Sequence, residues 1–137
     1  MWLADSGSNQ TELSSTGGLI SPAGGYTGNG FLPGYDLAID GAGHVFVPNS
    51  NSSQAGLVET DTTGTIISFT TGYEGGYPGY LIQPSSVALD GSGDAWCTNL
   101  YGGFGVPATV MEYIGVSVPV VVPLALAIRT GTLGQRP

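Results

Sequence analysis

The stretch VALDGSGDAWCTN, residues 87–99, repeats the pattern of LAIDGAGHVFVPN, residues 37–49, at an offset of 50 positions. In both copies a short apolar run meets Asp-Gly-x-Gly, and a second apolar run ends at Asn. Asp-Gly between two such runs is a strong short-range signal for a β-hairpin. We expect Gly41 and Gly91 to supply the positive φ angle that the turn requires. The repeated phrase therefore predicts two equivalent hairpins.

Further strands follow each hairpin. A third run is centred on a glutamate, in GLVET (56–60) and TVMEY (109–113), and a fourth run follows a turn. The N-terminus carries the same phrase from its middle, which makes Trp2, Phe46 and Trp96 equivalent. Each unit is thus predicted to be a four-stranded antiparallel meander, and the first unit has only its last three strands. The predicted strands cover residues 2–4, 10–13, 18–20, 36–40, 44–48, 56–60, 65–70, 86–90, 94–98, 109–114 and 117–122.

The first two strands of each full unit are continuous apolar runs, without strict alternation. Such strands belong to a sheet that is covered on both faces. No segment has a helical pattern, so the cover must be the neighbouring sheet, as between the blades of a β-propeller. The predicted core consists of Ala38, Ile39, Val45, Phe46, Val47, Val87, Ala88, Leu89, Ala95, Trp96 and Cys97.

Composition excludes several classes of function. The chain has 137 residues, 24 of them Gly, and a net charge of −8. Its only basic residues are Arg129 and Arg136, so the cations that nucleic acid or an anionic membrane surface requires are absent. The most apolar segment, residues 114–128, is too short and too interrupted by proline for a membrane span. No signal peptide is visible in this chain.

The repeats resemble NHL-repeat β-propellers, in particular the bacterial branch near virginiamycin B lyase. The residues that carry the resemblance are AIDGAGHVFVPN, ALDGSGDAWCTN and the glutamate strand after each. The resemblance implies an all-β fold of about three blades in an open arc, the C-terminal part of a six-bladed propeller. It also implies an extracytoplasmic location, with Met1 an internal start or a truncation; the alternative is a small protein that pairs with another copy. The implied units are residues 1–34 (an incomplete blade), 35–84 (a full blade), 85–122 (a second full blade) and 123–137 (a tail).

Loop parity in a meander places the short turns on one face of the sheets and the long connections on the other. The long connections hold most of the aromatic residues. Aromatic side chains on Gly-rich loops suit stacking on sugar rings or binding of a peptide; the alternative is that they fill the wedges between blades. The candidate ligand-binding residues are Tyr26, Phe31, Tyr73, Tyr77, Tyr80, Tyr101 and Phe104.

Other reactive residues are expected to be structural. His44 is the only imidazole, and we expect it to be exposed and without the partners that a catalytic or zinc site requires. Asp90-Gly-Ser-Gly-Asp94 is interpreted as a hairpin turn; half of a calcium loop is the alternative. Cys97 is expected to be a packing residue. The recurring Glu12, Glu59 and Glu112 are expected to accept backbone N–H groups, or else to form a ring of carboxylates that binds a cation.

The sequence therefore predicts no catalytic residue, no metal site and no cofactor. We expect a non-catalytic extracytoplasmic binding or scaffold module, with a glycan or a protein or peptide as ligand on the long-loop face. The alternative is a fragment of a lyase or lactonase-like hydrolase whose active site lies mostly in absent blades. Two uncovered blade faces also predict that the chain alone is insoluble, unstable or self-associating, because stacked repeats gain their stability from shared interfaces.

Overall fold

The computed structural model describes residues 1–5, 9–28, 35–51, 55–69, 72–74, 83–101, 107–120 and 129. All regular elements of this part of the chain are β-strands, which confirms the predicted all-β class. The strands are β1 (Trp2–Asp5), β2 (Asn9–Glu12), β3 (Ala38–Ile39), β4 (Val45–Asn49), β5 (Gly56–Thr60), β6 (Pro84–Leu89), β7 (Ala95–Asn99) and β8 (Thr109–Tyr113).

The strands form three antiparallel sheets in chain order. The first sheet is β1-β2, the middle sheet is β3-β4-β5 and the third sheet is β6-β7-β8. Their registers reproduce the repeat seen in the sequence. Trp2 lies opposite Glu12, Phe46 opposite Glu59, and Trp96 opposite Glu112.

The middle sheet is covered on both faces, which explains its continuous apolar runs. On one face, Val45, Val47 and Val58 pack against Trp2 and Ala4 of the first sheet. On the other face, Phe46 and Leu57 belong to a core cluster with residues of the third sheet, namely Val87, Ala95, Cys97 and Tyr113. Three small sheets stacked in this way are compatible with part of a β-propeller.

Three residues of the predicted core are exposed. Ala88 and Trp96 lie opposite each other on the face of the third sheet that points away from the middle sheet. No sheet of the described residues covers this face, and Trp96 is 40% exposed. Ile39 is 41% exposed, because the two-stranded first sheet has no strand opposite β3. The prediction of burial was wrong at these positions and right for Val45, Phe46, Val47, Val87, Ala95 and Cys97.

The predicted fourth strands are also wrong: the structure has no strand within the described parts of 18–20, 65–70 and 117–122. In the first two units we call the chain from Leu19 to Tyr26 and from Ile66 to Tyr73 the fourth segment. It contacts the third-strand region at two isolated bridges. These are Leu13–Leu19 and Gln10–Tyr26 in the first unit, and Thr60–Ile66 and Leu57–Tyr73 in the second. Between the bridges, the amides of Ile20 and Ile67 donate to the carbonyls of Glu12 and Glu59. Gly25 and Gly72 directly precede the second bridge of each unit, with φ angles of 72° and 81°.

The hairpin turns depend on a different glycine from the one predicted. Positive φ angles occur at Gly43 (87°) and Gly93 (93°) and not at Gly41 or Gly91. The reason is that the loop has three residues, with the left-handed residue in the last position. The Asp40 amide donates to the His44 carbonyl across this loop at 3.0 Å.

Candidate functional site

The aspartate that begins each hairpin turn holds the turn in place. Oδ1 of Asp40 accepts hydrogen bonds from the backbone N–H groups of Ala42 (2.9 Å) and His44 (2.8 Å). Its Oδ2 accepts a third from Val118, which follows the third sheet, at 2.9 Å. The Asp40 side chain is 1% exposed. This carboxylate therefore joins the end of the middle sheet to the segment after β8.

His44 has partners, contrary to the expectation from the sequence. Its Nδ1 lies 2.8 Å from Oε1 of Glu59 and 3.9 Å from Oδ2 of Asp40. The imidazole is 30% exposed, whereas the Glu59 side chain is only 7% exposed. The register between β4 and β5 explains this contact. His44 precedes Phe46 by two positions and so lies on the same face, and Phe46 lies directly opposite Glu59.

A tyrosine completes the cluster. The Tyr73 hydroxyl donates a hydrogen bond to Oε2 of Glu59. Burial raises the pKa of Tyr73, and the hydrogen bond to Glu59 raises it further. The first unit repeats the pair, since the Tyr26 hydroxyl lies 3.4 Å from Oε2 of Glu12. Sequence reasoning missed this pairing, although ELSSTGGLISPAGGY (12–26) and ETDTTGTIISFTTGY (59–73) share Glu, Thr-Gly, Ile-Ser and Gly-Tyr at the same spacing.

Glu12 and Glu59 thus accept hydrogen bonds from tyrosine hydroxyls. The sequence predicted that these carboxylates accept backbone N–H groups, and none of their described hydrogen bonds is of that kind. The third unit has no tyrosine 14 positions after its glutamate, and Glu112 is exposed. The Tyr–Glu pair is consequently a property of the first two units.

The cluster offers one ligand atom each from Asp40, His44 and Glu59, all within 4.8 Å of one another. Such oxygen and nitrogen donors suit a divalent cation. Each carboxylate oxygen of the pair, however, already accepts a hydrogen bond, from Ala42, Val118, His44 or Tyr73. The donors form a satisfied network in which Glu59 orients the imidazole.

Tyr73 also lines a cleft between the middle and third sheets. We call this the Tyr73 cleft; it has a volume of about 480 Å³ and is lined by Phe69, Gly72, Tyr73, Glu74 and Tyr113. The Tyr73 and Tyr113 ring centroids lie 6.1 Å apart. Tyr113 is 9% exposed, burial raises the pKa of its phenol, and its hydroxyl has no hydrogen-bond partner among the described residues.

A second cleft occupies the corresponding place between the first and middle sheets. We call it the Tyr26 cleft; its volume is about 660 Å³, and Pro22, Tyr26, Thr65 and Ser68 are among its lining residues. Each of the two described tyrosines of the fourth segments therefore lines a groove between neighbouring sheets.

The predicted ligand-binding residues do not gather into one site within the described residues. Tyr26 and Tyr73 lie in separate clefts, and Tyr101 is 50% exposed and lines neither. The remaining candidates, Phe31, Tyr77, Tyr80 and Phe104, lie outside the described residues.

The Asp90 turn has the same construction as the Asp40 turn. Oδ1 of Asp90 accepts from the amides of Ser92 (2.8 Å) and Asp94 (3.1 Å), and Oδ2 accepts from Trp96 Nε1 at 3.0 Å. Oδ1 of Asp94 accepts from the Gly115 amide at 2.6 Å. These contacts are those of a hairpin turn, with both aspartates occupied by protein donors.

Comparisons with known proteins add no family to these observations. No protein-family model matches the chain, and no curated protein matches it significantly. Among the described residues, no helix has the length and apolar character needed to cross a membrane.

Proposed function

We propose that this chain is a non-catalytic binding and scaffold module of the NHL-repeat β-propeller type, and that it binds a neutral glycan in the Tyr73 cleft. The observation that carries the proposal is the composition of that cleft. It combines the aromatic rings of Phe69, Tyr73 and Tyr113 with the carboxylate of Glu74. Tyr73 and Glu74 also belong to the long connection 71–84, which the sequence predicts on the ligand-binding face.

Each of these groups suits a sugar. Aromatic faces stack on the apolar faces of sugar rings, and Phe69 is 75% exposed. The carboxylate of Glu74 can supply a directional hydrogen bond of the kind that orients a ligand in such a pocket. A neutral sugar fits better than an acidic one, because residues 1–128 contain no Lys or Arg and the net charge is −8.

The scaffold part of the proposal rests on the stacked sheets. Three sheets that share apolar interfaces in chain order would serve as part of the rigid frame on which propellers carry their binding loops. An extracytoplasmic location belongs to the same proposal and is supported by the resemblance to secreted propellers.

Titration of the full chain with neutral oligosaccharides, followed by calorimetry, tests the proposal. Phe69→Ala should weaken binding at least tenfold with little loss of stability, because the ring is already exposed. Tyr35→Ala is the matched control: Tyr35 is 87% exposed and lies outside the cleft. Binding of peptides in place of sugars, or binding that Phe69→Ala leaves unchanged, would contradict the glycan proposal.

A second candidate is a lyase or lactonase-like hydrolase with further active-site residues in other blades of a larger protein. The contact between His44 and Glu59 favours it. A carboxylate on Nδ1 fixes the orientation of an imidazole and leaves Nε2 to act as a general base. Turnover of a panel of lactones by the full chain, abolished by both His44→Gln and Glu59→Gln and retained by Tyr35→Ala, would support this function. Turnover that survives His44→Gln would contradict it.

A further inference from the structure

The sheets of this chain stack by one repeated rule. We call the face that a sheet turns toward the next sheet its forward face, and the opposite one its rear face. The forward face of the first sheet includes Trp2, which packs on the rear face of the middle sheet at Val45 and Val47. The forward face of the middle sheet includes Phe46, which packs on the rear face of the third sheet at Cys97.

One forward face and one rear face are not covered by any of the described residues. On the forward face of the third sheet, Trp96 is 40% exposed and Val110 is 61% exposed. The equivalent residues of the middle sheet, Phe46 and Leu57, are both 0% exposed. The register confirms the equivalence, because Trp96 and Phe46 each lie opposite the glutamate of the third strand.

The rear face of the first sheet is the other uncovered surface. Leu3 is 44% exposed and Met1 is 66% exposed. Leu3 lies opposite Thr11, as Val47 lies opposite Val58, and Val47 is 0% exposed beneath its neighbour. This rear face therefore presents apolar side chains at the positions that are buried in the middle sheet.

We propose that the forward face of the third sheet binds the rear face of the first sheet of a second copy of this chain. The two free surfaces are of the kinds that already pack together twice within one chain, so the contact continues an interface that the structure shows. Glu59 on the forward face of the middle sheet is only 5% exposed, because its carboxylate is paired with Tyr73 and His44. The contact is head-to-tail, and two copies that form it reciprocally make a closed ring of six sheets, within the range of closed propellers.

The experiment uses the 137-residue chain and sedimentation equilibrium. The parent chain should form a dimer of twice 13.9 kDa. Trp96→Glu and Leu3→Glu should each raise the dimer dissociation constant at least 100-fold, because a charge then lies in an apolar interface. Val110→Glu is a second variant of the forward face that keeps the hydrogen bond of Trp96. Ile67→Glu is the matched control, because Ile67 is 45% exposed and belongs to the fourth segment of the middle sheet.

Mixing the two variants gives the sharper result. A chain with Trp96→Glu keeps its rear face, and a chain with Leu3→Glu keeps its forward face. An equimolar mixture should therefore form a heterodimer through its one intact contact, more weakly than the parent dimer, although each variant alone is monomeric. This recovery also shows that both variants are folded. A monomeric parent chain would overturn the proposal. So would a Leu3→Glu chain that still dimerises, since two forward faces would then be in contact.

Discussion

The hydroxyl of Tyr73 donates a hydrogen bond to Glu59, and this contact links the Tyr73 cleft to the only imidazole of the protein. Glu59 receives Tyr73 on one oxygen and faces His44 with the other. Tyr73 lies in the fourth segment, Glu59 lies in β5, and His44 directly precedes β4. These contacts therefore attach the fourth segment to β5 and to the residue that precedes β4.

Tyr73→Phe should destabilise the protein by about 1.5–3 kcal/mol, because it removes a hydrogen bond to a buried charged group. Denaturant unfolding measures the loss. Tyr26→Phe is the matched control. The corresponding oxygen atoms of Tyr26 and Glu12 are 3.4 Å apart, and its effect should be clearly smaller. An equal effect of both substitutions would show that the hydrogen bond to Glu59 is not the source of the stability.

Gly93→Ala should destabilise the chain by about 1–3 kcal/mol, because φ is 93° at this position and an L-residue is strained there. A Cβ atom would also lie 2.6 Å from the carbonyl oxygen of Ser117. Gly91→Ala, two positions earlier in the same turn, should change stability by less than about 0.5 kcal/mol, since a Cβ atom meets nothing within 4 Å. Thermal or denaturant unfolding of the pair distinguishes the two positions, and the reverse order of effects would refute the described turn.

Cys97 should react slowly with a thiol reagent in the folded protein and rapidly after denaturation. The side chain is fully buried, and burial raises the pKa of its thiol to about 12, so little thiolate exists at neutral pH. A Cys97→Ser chain with Ser92→Cys provides the control, because Ser92 lies in an exposed turn and its cysteine should react at once. Rapid labelling of native Cys97 would contradict the packing of the third sheet on the middle sheet.

Trp96→Phe should raise the pKa of Asp90 toward its ordinary value of 3.8. The hydrogen bond from Trp96 is the largest cause of the lowered pKa, followed by backbone N–H groups of the turn. A lowered pKa means that Asp90 stabilises the fold above its unfolded pKa and loses this contribution as the pH falls through the folded value. NMR titration of the carboxyl carbons checks the shift. Asp61, whose pKa is lowered mainly by Thr63, should titrate unchanged in the same variant.

The sequence was sufficient to predict the strands of the repeated hairpins. It was not sufficient to predict side-chain pairs, such as Glu59 with Tyr73, that recur only as a spacing. Asp-Gly between apolar runs located both hairpins, because turn chemistry and periodicity are local. The predicted fourth strands were wrong, because the described residues of these segments pair with the third strand only at isolated positions, such as Ile20-Ser21 and Ile67-Ser68. The contact of His44 with Glu59 depends on the register between β4 and β5, and propensity alone does not fix a register. The exposure of Trp96 depends on which sheets are neighbours, and that information lies outside its own strand.

The position of the middle sheet has a consequence for how the protein opens. Either outer sheet can separate from the middle sheet by breaking one interface. The strands β4 and β5 become accessible to solvent on one face when one interface is lost, and on both faces only when both interfaces are lost. In the monomeric chain, local unfolding should therefore proceed inward from the outer sheets, and slow amide hydrogen exchange should be concentrated in the middle sheet. Backbone amides at equivalent positions of the two full repeats would then exchange at different rates. Exchange is slower in the middle sheet because it has a neighbouring sheet on each face, whereas the third sheet has one.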